Sequence, residues 1–411
     1  DELILDNSAT LDLDQNLTVS SNLEIRATAT LNAAANQITA GGNWTNAGTF
    51  THGSNLVVFN GTGNVDAGGS PFYDIEVATG ANLTFASNVQ VERNWDRTGG
   101  SIDFGTNTVA IEFVNSSVDS EVTGTNQFYD FVVTADGKTV RFEAAQTQRV
   151  LNTFRILGSA GSGNLIQLLS TTTAQWFIDY RGSGSADVDY AFVEYSGVDA
   201  GSNDVEATNS KDNGNNDTGT PGWVFQPATV RWNGGTNSDW DEPNNWDSGY
   251  VPNDTDDVEL ADVGVSPVLN LDVTVRDLIV EGNQTFDQAA NGLTINRDWT
   301  VQTGATHDLS GGSLDVTDAG ATITNAGTVR LQGGQTVTLA PAFDDTQGTV
   351  EHDGAGGPYT GLPFGASYFD LSFTGTGTWN LDADTTVDNN LSIAGGVLDT
   401  ATVNLQVNGA T

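Results

Sequence analysis

Three histidines, His52, His307 and His352, are the only imidazoles in the 411 residues, and cysteine is absent. A Ser-His-Asp relay or a histidine metal centre would need distant segments to converge on one site. His52 lies in Thr51-His52-Gly53-Ser54, and His307 and His352 each precede an Asp; all three read as exposed turn residues. Without cysteine, thiolate nucleophiles and zinc-thiolate sites are excluded. The carboxylate pairs Asp256-Asp257 and Asp344-Asp345 are adjacent in sequence. Neighbouring strand residues point to opposite faces, whereas a glycosidase sets two carboxyls across one cleft. The arginines at 93, 97, 141, 149, 155 and 181 are scattered. The expectation is no catalytic residue and no enzyme, with a polysaccharide lyase or hydrolase as the enzymatic alternative.

Two groups of residues could bind rather than react. Asp212, Asn213, Asn215 and Asp217 crowd into a glycine-containing loop, and hard oxygen ligands at short spacing suit calcium. The closing Glu of an EF-hand loop is missing, so the stretch reads either as a calcium site or as a solvated turn. Asp254, Asp256 and Asp257 form a weaker second cluster. Trp240 and Trp246 lie among Asp and Pro residues, in what reads as an exposed loop able to stack on a glycan. Trp44 and Trp95 recur after Asn and read as structural.

Charge narrows the partners. Thirteen basic residues against 53 acidic ones leave a net charge of −40, and Lys138 and Lys211 are the only lysines. Such a field repels nucleic-acid phosphates and anionic membrane surfaces, and it suits high salt, where self-repulsion is screened within a few ångströms. The composition is halophile-like. No apolar run approaches 18 residues, so no membrane-spanning helix is expected.

Short alternations of Val, Ile, Leu, Phe and Thr between Gly, Asn and Asp turns indicate an all-β chain. The alternations recur. Asn43-Trp44-Thr45-Asn46-Ala47-Gly48-Thr49 is echoed by Asn94-Trp95 and, more loosely, by Asp298-Trp299 and Asn325-Ala326-Gly327-Thr328. The Trp-to-Trp distance suggests a unit of about 50 residues with the tryptophans at one repeat position. Leu3–Ile25 also aligns without gaps on Leu371–Ile393, apolar residue on apolar residue. Repetition favours stacked coils with one continuous core. The fold expected is a parallel β-solenoid (β-helix) in two segments, 1–226 and 227–411, with tandem β-sandwich domains as the alternative. The boundary follows the polar stretch 209–222 and precedes a new pattern from Arg231-Trp232 onward.

The runs Phe72 to Trp95 and Trp176 to Phe225 resemble a repeat of bacterial and archaeal cell-surface proteins. The segment Trp232 to Val258 resembles the start of an autotransporter-type passenger repeat. The resemblance implies an adhesin-like or structural β-helix protein, secreted or at the cell surface, with itself, neighbouring surface proteins or glycans as partners. Both ends of the chain read as open strand edges lacking polar caps. That pattern suits either an excerpt of a longer array or subunits joined end to end through terminal strands into an extracellular filament.

Overall fold

A computed structural model of the chain describes residues 1–104, 108–184, 186–400 and 402–409. The protein is all-β, 46% strand and 1% helix, and its strands stack as a parallel β-solenoid of about 20 turns. Every extended strand pairing among the described residues is parallel, which excludes the sandwich alternative; one isolated bridge, Trp232 to Trp246, is antiparallel. The chain divides into two compact units, Asp1–Gln226 and Pro227–Thr411.

In the first unit, sheets of six, ten, nine and three strands line the faces of the coil. A single turn of the coil runs Leu3–Leu5, Thr10–Asp12 and Leu17–Val19 before Leu23–Ile25 returns to the first sheet. Leu3 pairs with Leu23, Leu23 with Trp44, Trp44 with Val65, and Val65 with Phe85. One coil is therefore about 20 residues, not 50. Trp44 belongs to the six-stranded sheet, whereas Trp95 pairs with Ile75 in the ten-stranded sheet. The two tryptophans are two and a half coils apart and do not occupy one repeat position.

The second unit has sheets of five, four, seven and three strands. The correspondence between the chain's two ends is structural. Leu3–Leu5 falls on the second half of Ser367–Phe373, Thr10–Asp12 on Thr378–Asn380, and Leu17–Val19 on the start of Thr385–Ile393. Leu3 pairs with Leu23 as Leu371 pairs with Leu391.

Strand side chains alternate between core and solvent, and the inward column of each sheet is apolar. Leu23, Trp44, Val65, Ile75, Phe85 and Trp95 are buried, as are Leu278, Trp299 and Val329. Aromatic rings reinforce the stack: Trp44 meets Phe50 edge-on at 5.1 Å, and Phe142 stacks on Trp176 at 4.0 Å. Such contacts add roughly 0.5–1.5 kcal/mol beyond the area they bury.

The recurring Asn-Ala-Gly-Thr is a coil corner. The N–H groups of Ala47 and Gly48 both donate to the carbonyl of Ile25, and those of Ala326 and Gly327 to that of Val301. A Cβ at Gly48 would lie 2.4 Å from the Ala29 oxygen, and one at Gly327 would lie 2.4 Å from the Ala305 oxygen. Space, not backbone conformation, demands glycine there.

Candidate functional site

The outward polar residues next to the strands are the most regular feature of the structure. Asn43 donates its N–H to Asn22 Oδ1 at 3.1 Å and accepts from the Asn64 N–H at 2.8 Å. Asn94 does the same between Asp74 Oδ1 and the Glu121 N–H, at 3.0 Å each. Asp298 does so between Asp277 Oδ1, at 2.9 Å, and the Thr322 N–H, at 2.7 Å. In all three the residue's own carbonyl accepts from the previous coil: from Leu23, Ile75 and Leu278. The recurrent Asn-Trp and Asp-Trp pairs are thus stitches, a short side-chain oxygen capping the next coil's N–H beside a tryptophan that fills the core. These stitches use Asn and Asp, which accounts for part of the surplus of Asp over Glu.

In the loop singled out for calcium the carboxylates bond within the loop itself. Asp212 Oδ1 accepts from the Gly214 N–H at 2.8 Å and from Asn216 Nδ2 at 2.6 Å, and Asp217 Oδ1 accepts from the Gly219 N–H at 3.1 Å. Asn213 and Asp217 donate their N–H groups to Val193 and Ser196 on the previous coil, and the Asn215 carbonyl accepts from Gln175. Among the described residues no three His, Asp or Glu side chains converge as a metal site. In the weaker cluster, Asp256 is buried and accepts from the Asn253 N–H and the Tyr250 hydroxyl, while Asp257 pairs with Arg276.

Trp240 and Trp246 are not in an exposed loop. Both indoles are buried, packed edge-on at 4.7 Å, with Trp232 on one side and Phe286 on the other. The Trp246 Nε1 donates to the Trp240 carbonyl at 2.9 Å, and Asn245 is buried beneath, bonding Thr236, Asn237 and Asp239. Proximity of Asp and Pro suggested a solvent loop; the paired rings instead pack into the coil's interior against Phe286, with no ring face left to stack on a sugar.

None of the three histidines is exposed as expected, and two of them lie in the core. His307 and His352 are fully buried within strands, in columns otherwise filled by Phe286, Val329, Leu331 and Phe373. His307 Nε2 meets Gln288 Oε1 at 2.9 Å, and the His352 ring stacks on Phe373 at 5.1 Å. Burial pushes both imidazoles down to about 3, so each is neutral across the physiological range. The flanking Asp gave the misleading cue: Asp308 follows His307 in the same strand and so lies on the opposite face. His52 is half-buried, 3.2 Å from Glu92 and stacked on Tyr73.

Sequence reasoning overlooked two buried charges. The Lys138 ammonium is enclosed and donates to the carbonyls of Glu92, Asn115 and Val118 at 2.9, 2.7 and 2.7 Å. Asp179 is wholly buried between the guanidinium groups of Arg149 and Arg181. The scarcity of lysine was the one available signal for the first; nothing local marked the second. Comparison with protein-family models, curated proteins and solved structures returned no match.

Proposed function

We propose that the chain is a structural protein of the extracellular space or cell surface, a solenoid whose task is mechanical continuity. The observation that carries this reading is the commitment of its polar side chains. Asn and Asp residues spend their oxygens on the next coil's backbone at Asn22, Asn43, Asp74, Asn94, Asp277 and Asp298. Each stitch joins neighbours in a stack whose stability is a sum of nearest-neighbour terms. Acidity supports the same reading, because a charge of −40 keeps copies soluble and apart except where a specific contact overcomes repulsion. The resemblance to surface β-helix repeats points the same way.

The test is where the protein resides and what it builds. Antibody labelling of intact cells of the organism that makes it, with electron microscopy of the labelled material, should place it outside the membrane. Recovery only from the cytosolic fraction would overturn the proposal.

A further inference from the structure

Arg97 differs from every other arginine among the described residues. Each of the others has a carboxylate within 4.0 Å. Arg97 has only backbone oxygens: its Nε donates to the Gly100 carbonyl at 2.7 Å and its Nη1 to the Thr125 carbonyl. In a chain with four acids for each base, an arginine left without an acid leaves room for one from outside.

The guanidinium borders a cleft of about 450 Å³, within the usual range of ligand pockets, about 300–1,000 Å³. The cleft forms where the six-stranded sheet stops. Ser101–Asp103 is its last strand, and the next coils continue through Asn126–Val133 and Thr147–Leu157 of another sheet. Arg149 also lines the cleft and uses only its Nε, on Asp179. The side chains of Gln127 and Thr147 also line the cleft, half-buried, and spend no hydrogen bond inside the protein. Ile102 supplies an apolar patch. On the other side of Arg97, Asp96, Glu121 and Glu143 line a second cleft, so an anion is accepted only on the Arg149 side.

We propose that this cleft binds an acidic sugar unit, carboxylated or sulfated. The planar guanidinium fork matches the oxygens of either group. The free amide and hydroxyl suit sugar hydroxyls, and the isoleucine suits the C–H face of the ring. The protein's overall negative charge does not forbid this, because charges beyond about 8 Å are screened at physiological salt while contact pairs are not. Asp199, which borders the cleft 3.8 Å from Arg181, limits affinity by repelling the ligand.

The test is calorimetric titration of the full chain at 0.15 M salt with digalacturonate, a sulfated disaccharide and neutral cellobiose. At least one acidic sugar should bind tenfold or more tightly than cellobiose, and which one binds assigns carboxylate or sulfate. Arg97→Gln should weaken that binding at least tenfold, and Asp199→Asn should strengthen it a few-fold. Because Arg97 also holds two carbonyls, Gln127→Ala, which removes no internal bond, serves as the second variant and should cost about threefold with an unchanged melting temperature. Arg231→Gln, in the other unit, should change nothing. Equal affinity for cellobiose, no uptake of either acidic sugar, or binding indifferent to both Arg97→Gln and Gln127→Ala would overturn the proposal.

Discussion

The guanidinium of Arg297 grips the carboxylate of Asp277 one coil earlier in the stack, with Nε 3.0 Å from Oδ1 and a second nitrogen on Oδ2. Asp74 with Arg93 and Asp257 with Arg276 repeat the arrangement. The two partners are unequal. Asp277 is nearly buried and also caps the Asp298 N–H, whereas the Arg297 side chain is 46% exposed. Burial alone would raise the Asp277 carboxyl, yet Arg297 and the Asp298 N–H together hold it below its ordinary value. Asp277→Ala should therefore cost about 1–3 kcal/mol, because it strands a backbone donor. Arg297→Ala should cost less, because its half-exposed guanidinium can be replaced by water while the Asp298 N–H still holds the carboxylate. Chemical denaturation of the two variants checks the order, and a larger loss from Arg297→Ala would contradict it.

The stitch itself makes a second comparison. Asn94→Ala leaves the Glu121 N–H without its acceptor and should lower stability by about 1 kcal/mol. Asn94→Asp keeps the acceptor oxygen and should be far milder, since Asp298 performs the same task at the equivalent place. Equal losses in a thermal melt would show that the side-chain oxygen is not the stabilising feature. Gly327→Ala, which pushes a methyl against two carbonyl oxygens, should lower stability by more than either.

The all-β class and the stacked coils were legible because period-two alternation and gap-free self-alignment survive drift in the intervening residues. Leu3–Ile25 aligned on Leu371–Ile393 because matching strands lie there. The coil length was not legible, for a physical reason. A stitch beside a large core residue can be placed on any sheet, so Asn43-Trp44 and Asn94-Trp95 look like one repeat position and are two. Burial misled in the same manner. Trp240, Trp246, His307 and His352 carry polar neighbours, and in a thin coil every inward residue has them, so local polarity says little about which way a ring points. The cleft at Arg97 was invisible in sequence because its members are spread over several coils, from Arg97 to Asp199.

The two buried imidazoles make a pH prediction. In the unfolded chain each titrates near 6.5, and in the folded protein near about 3. Between those values the unfolded state binds protons that the native state does not, so stability is intact above pH 6.5 and falls as pH drops. The slope is at most about 1.4 kcal/mol per pH unit for each imidazole. Denaturant melts from pH 7 to pH 5, a window above most carboxylate titrations, should show the decline. His352→Phe, which keeps the stack on Phe373, should halve the slope; an unchanged slope would mean that the histidine titrates normally.

The loop Asp212–Asp217 predicts a small response to chelation. Asp212 Oδ1 and Asp217 Oδ1 already accept from the loop's own N–H groups, so bound calcium is not needed to order it. At fixed ionic strength, chelator should leave the melting temperature unchanged to within a degree or two. A drop of several degrees, reversed by calcium, would instead assign the loop a cation by linkage.

Lys138 offers the sharpest chemical probe, because the sequence holds only one other lysine, Lys211. Burial lowers the Lys138 ammonium to about 8, which alone would make it the more reactive amine. Geometry opposes this: the side chain is enclosed, and three carbonyls occupy its three protons. Lys211 is half-buried, less enclosed than Lys138. Acylation of the folded protein at pH 8 should therefore modify Lys211 and spare Lys138, with Lys138 reacting only after denaturation; peptide mass spectrometry distinguishes the two. Replacing the ammonium by Lys138→Met leaves the carbonyls of Glu92, Asn115 and Val118 without a donor. At about 1–3 kcal/mol for each stranded buried group, less whatever water recovers, that change should destabilise the first unit by several kcal/mol. Acylation of Lys138 in the native state at the rate of Lys211 would show that the cradle opens readily, and the expected loss in Lys138→Met would then shrink with it.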